Sequence, residues 1–166
     1  ISGVKTENSN GLTDLWLLEI TESGVINWQN TIGGDGNDYI SDCMLNGISG
    51  YVLLCYSGSD ISGDKSQLSF NNSYYTDILS NYVIHDSYDY WIIRLNGSGE
   101  LLSEKTIGTT FYEYPKRLLY NDVNSLLIAG YYGDGESGYS FQICGIDSFG
   151  YLKWKDNIIG SSWENT

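Results

Sequence analysis

The sequence predicts an all-β fold of β-propeller-like repeats, each a four-stranded antiparallel blade, in an incomplete ring of about two and a half repeats. Three observations carry this. One phrase recurs along the chain, each copy divides into short apolar segments between Gly-marked turns, and the composition favours strands. In 166 residues there are 15 Tyr, 5 Trp, 20 Gly and 1 Pro. Aromatic and β-branched residues suit a pleated, half-buried surface, and many glycines suit many tight turns. A hydrophobic content of 41% is enough for a core in a chain of this length.

The repeat is read first, because its period decides the architecture. Trp16 and Trp91 stand 75 positions apart, and the same offset pairs Asp14 with Asp89, Gly24 with Gly99, and Thr31-Ile32-Gly33 with Thr106-Ile107-Gly108. It continues through Asp38-Tyr39 against Glu113-Tyr114, Asn46 against Asn121 and Tyr56 against Tyr131. A third copy starts near Ser140, offset by 51 from the second. In the first copy the expected strands are Leu15 to Ile20, Val25 to Thr31, Tyr39 to Leu45 and Tyr51 to Ser57. In the second they are Tyr90 to Leu95, Glu100 to Thr106, Tyr114 to Tyr120 and Ser125 to Tyr131. Turn clusters such as Glu22-Ser23-Gly24 separate them. "YVLLCYS" and "SLLIAGYY" are nearly continuous apolar runs, which predicts burial on both faces.

These boundaries divide the chain into 1–13, the tail of a preceding inter-repeat link; 14–65, repeat one; 66–88, an insertion; 89–139, repeat two; and 140–166, a partial third repeat. Ile1-Ser2-Gly3-Val4-Lys5 echoes Ile61-Ser62-Gly63-Asp64-Lys65, and the chain opens and closes mid-phrase, as expected of part of a longer or processed protein. Two and a half blades leave faces and strand edges open, so further repeats or another protein chain are expected to cover them.

Charge and composition narrow the function. Eight Lys and Arg against 21 Asp and Glu give a net charge of −13, which excludes the basic footprint of nucleic-acid binding and disfavours anionic membranes. No apolar run reaches the roughly 20 residues that span a bilayer, so no membrane insertion is expected. Cys43, Cys55 and Cys144 lack metal-ligand spacing. A cross-strand bridge between Cys43 and Cys55 is one reading; the favoured one is small buried hydrophobes. His85 is the single histidine and reads as a solvated loop residue beside Asp86 and Ser87.

Asp35, Asn37 and Asp38 in "GGDGND" form the candidate metal site, an oxygen-rich turn of the kind calcium uses, although Asp and Asn also favour turns on their own account. No other cofactor is expected. Asp14 and Asp89 recur and so read as turn or cap groups; Trp16 and Trp91 read as blade packing. No catalytic residues are assigned, since a catalytic site breaks a repeat instead of obeying it. The insertion is the candidate ligand-binding segment: Tyr74, Tyr75, Tyr82 and Tyr88 offer aromatic faces, and Asn71 and Asn72 offer amides, for a glycan or protein ligand.

"DYWIIRLNGSGELLSEKTIG", "WQNTIGG" followed by Gly36-Asn37-Asp38, and "GISGYVLLCYSGSDISGDKS" together resemble the DYWIVKLD, GxIxW, TxGG and GGYIVAGYS phrases of a repeat family abundant in secreted and surface proteins of Bacteroidetes. The resemblance implies propeller-like modules in large exported proteins, often cargo of type IX secretion, located outside the cell or on its surface. It carries over no catalytic residues. Cys55 in place of the usual glycine, the insertion, and Thr109-Thr110-Phe111 against Gly34-Asp35-Gly36 depart from the pattern. The expected function is a non-enzymatic scaffold, adhesin or binding surface. The alternatives are part of a propeller-type polysaccharide hydrolase or lyase, and a segment of a surface filament or assembly.

Overall fold

The computed structural model describes residues 4–47, 50–70, 74–76, 83–85, 87–122, 125–133 and 138–158, with 74–76 and 83–85 described as strand backbone. Every regular element among them is a strand. They are β1 (Leu15–Ile20), β2 (Ile26–Ile32), β3 (Asp38–Leu45), β4 (Gly50–Ser57), β5 (Tyr74–Thr76), β6 (Val83–His85), β7 (Asp89–Asn96), β8 (Leu101–Ile107), β9 (Tyr112–Asp122), β10 (Ser125–Gly133), β11 (Tyr139–Asp147) and β12 (Leu152–Ile158). All pairings between strands are antiparallel. Among the described residues no helix is long and apolar enough to cross a membrane.

Two sheets have four strands, in the orders β3-β4-β7-β8 and β9-β10-β11-β12, and two have a single pair, β1-β2 and β5-β6. This corrects one expectation. The four strands of a sequence repeat do not form one sheet: the middle sheet joins the second half of repeat one to the first half of repeat two. Self-similarity fixes the period of a repeat but not its phase, because any cut point matches equally well. The chain changes sheet at the short Gly-rich loop of residues 33–37, between β2 and β3. It stays in one sheet across the longer link between β4 and β7.

The hairpins β1-β2, β7-β8 and β11-β12 close identically. Gly24, Gly99 and Gly150 hold φ values of 82°, 78° and 89°, and one-residue register shifts sit beside them at Glu19/Ile20, Arg94/Leu95 and Gly145/Ile146. A left-handed glycine next to such a shift is the bulged form of a short hairpin loop. The residue that opens each turn accepts backbone N–H groups through its side chain. Asn96 Oδ1 takes Ser98 (2.9 Å) and Glu100 (3.0 Å), and Asp147 Oδ1 takes Phe149 and Tyr151, both at 2.9 Å.

The central strands of the middle sheet, β4 and β7, are buried on both faces. One face presents Val52, Leu54, Tyr90 and Ile92 to Leu118, Leu126, Ile128, Cys144 and Ile146 of the β9–β12 sheet. The other presents Leu53, Cys55, Trp91, Ile93 and Leu95 to Leu15 and Ile32 of the β1-β2 pair. The continuous apolar run of β4 is thus satisfied as expected. That of β10 is not: Leu126 and Ile128 point inward, whereas Leu127 and Ala129 are half-buried and Tyr131 is exposed. No described element covers that outer face. Trp28 anchors the first pair to the middle sheet, its indole N–H donating to Glu19 Oε2 (2.7 Å) and Gly97 O (3.1 Å).

Cys43, Cys55 and Cys144 are all free, the first exposed and the others buried. Register explains why no Cys43–Cys55 bridge forms: Cys43 lies opposite Leu53, and Cys55 opposite Ile40.

Trp16 and Trp91 occupy equivalent positions, yet their exposures are 40% and 0%. Trp91→Ala is therefore expected to destabilise the chain by about 3–5 kcal/mol. Trp16→Ala, at a position 40% exposed, should cost less than Trp91→Ala. Urea unfolding of the two variants checks this, and equal losses would contradict the packing described.

Candidate functional site

The links dock onto the ends of the sheets through contacts that repeat in detail. Glu7 Oε2 accepts the backbone N–H of Thr31 (2.5 Å), and Gln67 Oε1 accepts that of Thr106 (2.7 Å). Gln29 Oε1 takes the N–H groups of Thr6 (3.1 Å) and the Trp16 ring (3.2 Å). Glu104 in turn takes Ser66 N–H (3.1 Å) and the Trp91 ring (2.7 Å). Link residues correspond at an offset of 60, whereas the repeats correspond at 75. The 15 extra residues of the second link therefore lie between Phe70 and Asp89. Residues 66–70 belong with the shared link.

Beneath each link sits a pair of acids. Asp14 accepts Asn10 N–H, and Asp89 accepts Phe70 N–H (2.7 Å), the cap role expected of both. Only glycine fits beneath them: a Cβ on Gly33 would lie 2.3 Å from Asp14 Oδ1, and one on Gly108 would lie 1.9 Å from Asp89 Oδ1. The second acid of each pair is Asp38 or Glu113. Their N–H groups donate to Thr13 O and Tyr88 O, both at 2.7 Å, again equivalent positions.

Glu113 has the longer side chain and reaches Asp89. Each carries a buried oxygen without a donor, Asp89 Oδ1 and Glu113 Oε2, and the two groups are hydrogen-bonded to one another. Two carboxylates cannot share a hydrogen bond without a proton. Burial above all, then the Asp89 charge, pushes the Glu113 carboxyl up to about 8, so Glu113 holds the proton at neutral pH. Burial raises Asp89 as well. Buried Lys65 lies in the field of Asp89, Glu104, Asp38 and Asp60, and its ammonium donates to Gln67 O (2.6 Å). Asp89, Glu113 and Asp38 are sealed from solvent. They hold links to sheet ends.

The candidate metal residues diverge. Asp38 is buried and accepts Gly34 N–H (2.7 Å) and the Ser59 hydroxyl (2.9 Å). Asp35 is exposed and accepts Ser62 O–H (2.8 Å) and Asp60 N–H (3.2 Å). Asn37 O accepts Gly58 N–H (2.9 Å), while its side chain bonds Tyr88. These oxygens fasten the turn to the link that follows. Among the described residues no three or more His, Cys, Asp or Glu side chains converge as a metal site.

Of the candidate ligand-binding residues, Asn71, Asn72 and Tyr82 lie outside the described residues. Tyr74 and Tyr75 lie on β5, paired with His85 and Ile84 of β6, and their side chains are also outside the description. Tyr88 is placed. It joins a cluster at the same end of the sheets, with ring centroids 5.3 Å from Tyr56 and 6.0 Å from both Tyr39 and Tyr114. Tyr39 and Tyr56 stack at 5.0 Å, Tyr56 meets Tyr114 edge-on at 5.7 Å, and Tyr112 and Tyr139 extend the cluster beyond Tyr114. Burial raises the hydroxyls of Tyr56 and Tyr88, and that of Tyr114 to about 12, so all three remain protonated donors. Beside the cluster an open groove of about 420 Å³ is lined by Ile40, Ser41, Tyr56, Lys116 and Arg117.

The sequence reading names Tyr88 as a ligand candidate and Tyr39, Tyr56 and Tyr114 only as repeat markers, and does not single out Lys116 or Arg117. The signal that finds the last two is a break in the repeat: Lys116-Arg117 stands where repeat one has Ser41-Asp42.

The acid pair predicts a pH dependence. A carboxyl whose folded pKa is raised stabilises fully below its unfolded value, and that contribution is lost as pH rises through the folded value. Stability should therefore fall from about pH 5 to about pH 8–9, by on the order of 1–3 kcal/mol. Glu113→Gln keeps a donor to Asp89 without titrating and should flatten this slope. Melting temperatures across the range decide it; an unchanged slope in the variant would show that the proton lies elsewhere.

Comparison with known proteins finds no family model that matches the chain and no curated protein that matches it.

Proposed function

We propose that the chain is a propeller-like repeat module of an exported protein, secreted or on the cell surface, that acts as a non-enzymatic binding surface. The observation that carries the reading is the tyrosine cluster with its groove. Tyr39, Tyr56, Tyr88 and Tyr114 come from β3, β4, the link and β9, so the cluster forms only where consecutive repeats meet. Tyrosines gathered at one end of a rigid scaffold combine apolar ring faces with hydroxyl donors, the composition that suits glycan and protein contact. The insertion enters the same end, because Tyr88 is its last residue.

The stacked sheets support the propeller part of the reading. The β1-β2 pair packs on the middle sheet, and the middle sheet on the β9–β12 sheet, through equivalent positions, and β3 and β9 are the neighbouring edge strands of the two four-stranded sheets. The outer face of β9–β12, with Leu127, Phe141 and Ile143, is the repeat counterpart of the face through which the middle sheet packs onto its neighbour. Further repeats or another chain covering these faces would complete the arrangement. The same exposed faces favour a second reading, a segment of a surface assembly. A polysaccharide hydrolase needs a carboxyl pair that substrate can reach, and the Asp89–Glu113 pair is buried.

A panel of immobilised neutral and acidic oligosaccharides tests the binding reading. The chain should retain at least one saccharide class, and Tyr56→Ala should weaken that retention by about ten-fold, as expected for loss of about 1–2 kcal/mol of aromatic contact. No retention by the unaltered chain, or retention indifferent to Tyr56→Ala, would count against it.

A further inference from the structure

Resting on that reading, we propose that the groove between β3 and β9 is a site for an acidic saccharide, with Lys116 and Arg117 taking its carboxylate or sulfate and Tyr56 and Ile40 flanking its ring. The groove is a product of two matching irregularities. The β3–β4 register shifts between Ile40 and Asp42, leaving Ser41 unpaired, and the β9–β10 register shifts between Ala129 and Gly130, leaving Lys116 unpaired. Ser41 and Lys116 are repeat equivalents, so the bulge is inherited by both copies. Bulges redirect side chains, and they concentrate beside functional sites. Pro115, which lacks an N–H to donate, sits next to the second bulge on an edge strand, where such a residue is tolerated.

What the copies do with the bulge differs. Repeat one places Ser41-Asp42 there, and repeat two places Lys116-Arg117, a local change from one negative to two positive charges. This happens in a chain with eight basic residues and a net charge of −13. No carboxylate among the described residues forms an ion pair with either cation; the described pair is Lys153–Asp147 at 3.0 Å. Asp42 is committed elsewhere, its oxygens accepting Leu118 N–H and Cys43 N–H, both at 2.9 Å. The first of these bonds ties β3 to β9 and fixes the spacing of the groove walls. Two adjacent cations with no ion-pair partner among the described residues, in an acidic molecule, form a site for an anion, with the guanidinium able to bind a carboxylate or sulfate through two parallel hydrogen bonds.

The remaining lining selects the rest of the ligand. Tyr56 and Ile40 supply an apolar wall, and the Ser41 and Tyr56 hydroxyls supply adaptable donors and acceptors. About 420 Å³ lies within the range of roughly 300–1,000 Å³ typical of small-ligand sites. Ring, hydroxyls and one anionic group in a space of that size describe a short uronic or sulfated saccharide.

Calorimetric titration of the folded chain tests this with four probes: an oligogalacturonate, its fully methyl-esterified form, a sulfated disaccharide and an Asp/Glu-rich peptide. The oligogalacturonate or the sulfated sugar should bind at least ten-fold more tightly than the neutral ester, and the preference should shrink in high salt. Lys116→Ser with Arg117→Asp installs the pair that repeat one carries at the same bulge, so the backbone accommodates it, and should abolish the preference. If that variant fails to melt cooperatively, Lys116→Gln with Arg117→Gln replaces it with the same expected outcome. Equal binding of acid and ester, or a preference that survives both variants, overturns this inference while leaving a saccharide-binding function standing. Tighter binding of the peptide overturns the saccharide assignment. Failure of every sugar to bind, on the oligosaccharide panel as well, overturns both.

Discussion

The structure depends on how the outer edges of its sheets are closed. β2 and β8 are edge strands, and an edge strand presents unpaired N–H groups that cost free energy if buried and invite foreign strands if exposed. The links answer this with side chains in place of another strand. Glu7 and Gln67 accept the Thr31 and Thr106 N–H groups, while Gln29 and Glu104 reach back to the link backbone and the Trp rings. Packing of Trp91, closure of the acid pair under the link and approach of Tyr88 to the other tyrosines all follow from the link lying where these contacts hold it.

Much of this is written in short-range chemistry that a sequence displays. The turn glycines Gly24 and Gly99, and the limits of β1 to β4 and β7 to β10 to within two residues, follow from turn chemistry and local apolar patterning, which act over a few positions. The phase of the sheets does not. Which half-repeat pairs with which depends on where Gly33–Asn37 changes sheet and on side-chain contacts 23 to 39 positions apart, such as Thr6 with Gln29 and Thr106 with Gln67. Burial of β10 was misread for the related reason that an apolar run records what a face can bury, not which partner is there.

The site shows the same division. Recurrence marks Asp14 and Asp89 as turn or cap groups, and each accepts a backbone N–H from the link above it. The tyrosine cluster escaped because its members lie on three strands and a link, 17 to 75 positions apart, and no local window contains them. Asp35, Asn37 and Asp38 read as a candidate ligand set because a turn and a cation call for the same oxygen-rich residues; in the fold, Asp35 and Asp38 accept hydrogen bonds from their own turn and from the link that follows it.

The half-repeat stagger has a consequence for how such a molecule tolerates change. Each four-stranded sheet is a lap joint, made from the end of one sequence unit and the beginning of the next, like courses of overlapping brick. Tension along the chain is therefore carried across sheets instead of concentrating between finished blocks. Loss or gain of one whole unit removes or adds two complementary halves, so the joints on either side can still meet. Array length can vary through duplication while every interior sheet keeps four strands.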